Sequence, residues 1–330
     1  MGYRFDNARM NEIIKALGND YHIFAPKQDS KKRQVRFKPI TSVEEIERAR
    51  QSDFSAKEVF YPVSTTMFYF KDGTITESVY TDDKGILIFA RPCDINAIKR
   101  LDNIFLKNGA SEDKFYRERR EKVKFILMEC TESFENCFCV SMGSEKTDDY
   151  AVAVRFGDDH VLINIKDEEF ARYFEGGDTE EFELEFVKEN AKKAAHPKLG
   201  RENIKEVSSM EFWNRFDEKC IACGGCNTVC PTCACFDTVD VVYTESANEG
   251  ERRRVWSSCM LEDFTKTAGG ALSRKTHGAN MRFKVFHKFY DYEYRFEDGN
   301  MCVGCGRCDM RCPRDISFYD TVNLLADEIS

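Results

Sequence analysis

Apolar positions recur at helical spacing over residues 7–17, "NARMNEIIKAL". The run "TSVEEIERARQ" (41–51) reads as a capped helix, with Thr41 or Ser42 ahead of acidic first-turn residues. Strand-like runs follow at "TMFYF" (66–70), "TITESVY" (74–80) and "GILIFARP" (85–92). The last is almost continuously apolar, as a strand covered on both faces must be. "CDINAIKRLDNIFL" (93–106) returns to helical spacing, and "KVKFILMEC" (122–130) is a second buried-strand pattern. "YAVAVRF" (150–156) and "HVLINI" (160–165) flank "GDD" like the arms of a hairpin. Residues 167–175 and 178–194 are expected to be helical.

After "HPKLGREN" (196–203), which reads as a linker, strand alternation becomes scarce and cysteine motifs sit among helical pieces such as "MLEDFTKTA" (260–268). The expected fold is therefore α+β. A mixed α/β domain spans 1–203, and a helical ferredoxin-type domain holding two clusters spans 204–330. A length of 330 residues suits two such units. With 42% apolar residues a core can form, and the 32% charged fraction is mixed in sign. The net charge of −9 makes nucleic acid and anionic membranes poor partners. The first residues lack a signal-peptide pattern, and no apolar run reaches 18 residues, so a cytoplasmic protein is expected.

Fifteen cysteines need another explanation, because a reducing compartment disfavours disulfides. Eight of them form two copies of one spacing, C-x2-C-x2-C-x3-C-P: Cys220, Cys223, Cys226, Cys230 with Pro231, and Cys302, Cys305, Cys308, Cys312 with Pro313. This is the bacterial ferredoxin run for 4Fe–4S clusters. Three thiolates two residues apart wrap one side of a cubane, and Gly224, Gly225, Gly304 and Gly306 allow the tight backbone this requires. The fourth cysteine of each run reaches the other cluster in two-cluster ferredoxins. The expected sets are Cys220, Cys223, Cys226 and Cys312 for one cluster, and Cys302, Cys305, Cys308 and Cys230 for the other. Zinc would want two separated CxxC pairs closing one tetrahedron, which two complete runs fit poorly.

Cys93, Cys130, Cys137 and Cys139 lie upstream. If the runs before Cys93 and Cys130 are neighbouring strands, both thiols leave one sheet edge, beside the loop carrying Cys137 and Cys139. The four could then hold a third 4Fe–4S cluster; the alternative is four small buried hydrophobes. Cys233, Cys235 and Cys259 read as bystanders. His22, His160, His196, His277 and His287 have no partner at ligand spacing. "GERRRVW" (250–256) and "RFKVFHK" (282–288) are basic islands, read either as solvated surface, as a dock for an acidic partner, or as charges that tune a cluster. No dinucleotide fingerprint, Walker motif or nucleophile constellation is present. The chemistry on offer is one-electron transfer, with donor and acceptor on other chains and no catalytic residue here.

Several stretches resemble the iron–sulfur electron-transfer subunit of anaerobic sulfite reductase: "KEVFYPVSTTMFYF" (57–70), "RPCDINAIKRLD" (91–102), "ECTESFENCFCVSMGS" (129–144), "CIACGGCNTVCPTCACF" (220–236), "GERRRVWSSCMLEDFTKTAGG" (250–270) and "MCVGCGRCDMRCP" (301–313). The beta subunit of soluble nickel–iron sulfhydrogenase is a relative with similar motifs. The resemblance implies an iron–sulfur chain that takes electrons from a flavin, NADH-binding subunit and passes them to a sirohaem subunit reducing sulfite to sulfide. In the sulfhydrogenase reading the same role serves a hydrogenase. The R-P-C-D and C-F-C signatures, shared by both families, favour the third cluster.

Overall fold

The computed structural model describes residues 1–330. Strands β1 (Gly2–Asp6), β2 (Tyr21–Gln28), β3 (Val35–Pro39), β6 (Gly85–Ala90), β7 (Val123–Met128), β8 (Val152–Phe156), β9 (His160–Ile165) and β10 (Asp178–Thr179) form one sheet. Its order is β10-β1-β9-β8-β7-β6-β2-β3. The inner strands β2, β6, β7 and β8 run parallel; β9 lies antiparallel to β8, and β1, antiparallel to β9, runs in the inner strands' direction again.

Helix α1 (Asn7–Asp20) starts where Asp6 accepts a hydrogen bond from the Arg9 N–H. It lays Met10, Ile13, Ile14 and Leu17 against Leu87, Phe89, Ile126 and Val152. Helix α2 (Pro92–Leu106) begins with proline in its first turn and covers the opposite face. There Ile95, Ile98, Leu101 and Phe105 meet Ile86, Ile88, Phe125 and Leu127, and α3 (Lys114–Arg120) adds Tyr116. The alternate residues of β6 thus enter two cores, which is why its sequence is apolar throughout.

The cysteine-rich half carries α4 (Ile204–Ser209), α5 (Arg215–Lys219), α6 (Gly225–Thr228), α7 (His277–Phe286), α8 (Tyr292–Phe296), α9 (Arg307–Arg311) and α10 (Phe318–Glu328). Its core gathers Phe212, Trp213, Phe216, Met281, Val285, Phe289, Phe318 and Leu325, joined by Phe138 and Met142 from the first half. The architecture is α+β, as expected. No helix is long and apolar enough to cross a membrane.

Four local expectations are corrected. Residues 41–51 form only a short turn at Val43–Glu45. The carboxylates of Glu45 and Glu47 accept hydrogen bonds from the backbone N–H groups of Thr41, Ala49 and Arg50, competing with helix formation. Residues 167–175 make a 3-10 turn at Glu168–Tyr173, and 178–194 hold no helix, only β10 and a single bridge at Phe186. In that segment Phe182, Leu184 and Phe186 alternate at a period of two and pack against the α2-side core. The stretch between the cysteine motifs holds a hairpin, β11 (Phe236–Val242) and β12 (Glu249–Trp256), with only a 3-10 turn, Glu262–Thr265, in the run 260–268. Strand β12 pairs with β4 (Ser64–Lys71), which pairs with β5 (Thr74–Glu77), making a four-stranded sheet from both halves. The arginines of "GERRRVW" hid this strand. Each finds a carboxylate: Arg252 pairs with Asp240, Arg253 with Glu251, and Arg254 with Asp113.

Candidate iron–sulfur centres

The two cysteine runs fold alike. Ala222 and Gly304, each two residues after the first cysteine, are left-handed at φ 51° and 61°, and Gly224 and Gly306 repeat this at 71° and 70°. The turns aim backbone N–H groups at sulfur: Ala222 N donates to Cys220 Sγ and Gly304 N to Cys302 Sγ, both at 3.4 Å. Each loop then enters a short helix, α6 or α9, capped by Gly224 or Gly306.

The loops stand side by side, and their cysteines divide between two cavities. Cys220, Cys223, Cys226 and Cys312 line the first, together with Met260, Met281 and Ile316. Cys230, Cys302, Cys305 and Cys308 line the second, with Phe138, Thr232 and Val303. In each, the fourth cysteine of one run lies beside the first three of the other, and Cys308 borders both cavities. Cys308, Lys284 and Phe318 form the shared wall.

Three lysines are buried here: Lys57 at 2% exposure, Lys284 at 3% and Lys288 at 3%. Lys288 Nζ donates to Thr232 Oγ1 at 2.6 Å and points to Cys230 Sγ at 3.4 Å. Lys57 Nζ donates to the Cys233 carbonyl at 2.7 Å and stands over the Trp256 ring. Burial alone would lower the Lys284 ammonium, but the sulfurs of Cys226, Cys308, Cys233 and Cys230 outweigh it and hold its pKa up. The same contest raises Lys288, whereas burial prevails at Lys57 and lowers it. Buried cations with no carboxylate partner are costly unless an anion faces them. Sulfur-rich cavities walled by lysine fit an anionic cluster. Burial pushes the Cys302 thiol up to about 12, so it becomes a thiolate only when a metal takes the proton's place.

The upstream cysteines come to the same region. β6 and β7 are hydrogen-bonded neighbours, so Cys93 and Cys130 leave one sheet edge. The loop with Cys137 and Cys139 packs onto the second run: Phe138 N donates to the Gly304 carbonyl at 2.7 Å, and Cys137 Sγ lies 4.0 Å from the Cys305 carbonyl. Cys93 packs with Ala97, Val303 and Cys305. Burial raises Cys137 to about 12 and Cys139 to about 11. Cys233, Cys235 and Cys259 line neither cavity.

Sequence reasoning missed the clamp beneath this loop. Arg307, 1% exposed, meets Asp94 at 2.8 Å and donates to the Ser52 carbonyl and hydroxyl. Gln51 Nε2 donates to the Cys305 carbonyl at 2.8 Å. The charge of Arg307 inside a cysteine motif was the available signal. Lys284 and Lys288 were readable too, as basic residues four apart within a helical run.

Residues 219–316 match the description "4Fe-4S dicluster domain". The chain is 31% identical over 304 residues to sulfhydrogenase 2 subunit beta of Pyrococcus furiosus, covering 87% of this chain and 88% of that one. The chain belongs to the sulfhydrogenase beta-subunit family. No solved structure matches it. It is accordingly an iron–sulfur electron-transfer subunit of an oxidoreductase, holding two 4Fe–4S clusters. Such clusters, when bound, accept and donate single electrons. The likeness falls on the sulfhydrogenase side of the two resemblances, and nothing in it singles out sulfite reductase.

Proposed function

We propose that the chain is the electron-transfer subunit of a hydrogen-linked, sulfhydrogenase-type complex, relaying electrons between a flavin, NADH-binding subunit and a nickel–iron subunit. The observation that carries this reading is the match over 87% of the chain to a sulfhydrogenase beta subunit. Cys220, Cys223, Cys226 and Cys312 would hold one cluster, and Cys230, Cys302, Cys305 and Cys308 the other. Their division between two cavities sharing a wall supports this, because a shared wall favours hopping. The cytoplasm is the expected compartment, with neither membrane nor nucleic acid as partner.

Cys93, Cys130, Cys137 and Cys139 would hold a third 4Fe–4S cluster. The packing of Cys93 and Cys137 against the Cys305 segment supports it as the next step of the relay. Anaerobic iron counting tests this directly: about twelve irons per chain for three cubanes, about eight for two. Cys137→Ser should remove about four, and an unchanged count would overturn the third site.

The competing partner is a sirohaem subunit that reduces sulfite, as the resemblance to the anaerobic sulfite reductase chain implies. Isolation of the intact complex separates the two. Nickel in the complex, with hydrogen reducing this chain's clusters, is the expected result. Sirohaem absorption, with sulfite oxidising them, would overturn the hydrogenase reading and leave the electron-carrier role intact.

A further inference from the structure

Lys284 and Lys288 lie four residues apart on one helical run, formed by α7, a π turn at His287–Asp291 and α8. That spacing puts them on one face, and π turns recur at functional positions. The cavities they border differ. Lys284 lines both, whereas Lys288 lines only the one made by Cys230, Cys302, Cys305 and Cys308. Both are 3% exposed, and neither ion-pairs with a carboxylate in this chain. A positive charge fixed beside a site that gains an electron favours the reduced form. Burial keeps water from screening it.

We infer that Lys284 is a counter-charge shared by the two 4Fe–4S clusters and that Lys288 serves the second alone, so that the pair sets their reduction potentials. The inference rests on the electron-carrier reading. Both lysines act through the clusters and are positioning residues. The arrangement has a functional consequence. One residue moves both potentials together, keeping neighbouring relay sites matched, and a second adjusts their difference.

The test is an anaerobic redox titration, followed by electron paramagnetic resonance, of the full chain and of Lys284→Met, Lys284→Arg and Lys288→Met. Each protein is first checked for wild-type iron content. Lys284→Met should weaken reduction of both C-terminal clusters at least tenfold, a downward shift of about 59 mV for one electron. Lys284→Arg should restore most of that, and Lys288→Met should shift a single signal. Unmoved potentials in an iron-replete Lys284→Met protein would overturn the inference, as would a shift confined to one cluster. If Lys284→Met does not assemble, Lys284→Gln provides the same reading. A Lys288→Met protein that shifts both signals equally would overturn the division of labour. Wild-type clusters that cannot be reduced reversibly would defeat the carrier reading itself, a different outcome from reversible clusters that ignore the lysines.

Discussion

At the four left-handed positions the two cysteine loops share closely similar φ angles, yet the chain around them differs. The first loop is open on one side. Cys223 is exposed, Ala222 is half-buried, and a Cβ on Gly224 would come no nearer than 3.0 Å, to the Ser258 side chain. The second is sealed. Cys305 is 6% exposed, and a Cβ on Gly306 would collide with the Asn136 carbonyl. The contrast is sharpest at the position before the third cysteine, which is Gly225 in one loop and Arg307 in the other. Arg307 ties its loop to Asp94 and Ser52 of the first half. A repeated motif therefore specifies the wrap of a cubane, while the residues between its cysteines specify what covers it. The sealed loop faces the upstream cysteines, and the open one faces solvent.

The largest expected effect breaks the crossover. If each fourth cysteine serves the other loop's cavity, Cys220→Ser with Cys312→Ser damages one cluster, and Cys220→Ser with Cys230→Ser damages two. Iron per chain should fall by about four in the first double variant and about eight in the second. The reverse pattern would mean that each run closes its own cluster.

Next comes the clamp. Asp94→Asn leaves the Arg307 guanidinium buried without its counter-ion, a loss of about 3–5 kcal/mol. A solvent-exposed pair, Arg215–Glu328, offers a control, since both side chains are 40% exposed. Arg215→Ala should cost at most about 1 kcal/mol. Anaerobic chemical denaturation compares the two, and equal losses would show that the second loop is not clamped.

Backbone crowding distinguishes the loops more gently. Gly304→Ala forces a left-handed alanine, at roughly 1–2 kcal/mol, and drives its methyl to 2.5 Å from the Phe138 carbonyl oxygen. We expect a loss of at least about 2 kcal/mol, with partial loss of iron from the second site. Gly225→Ala should stay within about 1 kcal/mol of wild type, because its methyl meets ordinary contacts.

These contrasts also mark how far the sequence could be read. The eight-cysteine pattern and the central strands were legible, because ligand spacing and continuous apolar runs are local signals. β12 was not. Its three arginines mask a strand whose charges are satisfied by Asp240, Glu251 and Asp113, the last over 140 residues away. Residues 178–194 misled for the opposite reason. Their high helix propensity gave way to the pull of Phe182, Leu184 and Phe186 on the core. The clamp at Arg307 and the sealing of the second loop depend on contacts between distant segments, which no local period encodes.

The smallest effect tests the open loop alone. Ala222 carries φ 51° where the second loop uses glycine. Ala222→Gly removes a left-handed strain of roughly 1–2 kcal/mol. Against this, glycine adds roughly 0.5–1 kcal/mol of conformational freedom to the unfolded chain. The balance is a gain of at most about 1.5 kcal/mol, or a midpoint raised by no more than about 2 °C. Iron content should not change, since the Ala222 N–H that faces Cys220 Sγ is kept. A clear loss of stability would mean that the Ala222 methyl packs as tightly as the second loop's surroundings. The contrast between an open and a sealed centre would then reduce to Arg307 and the 136–138 segment.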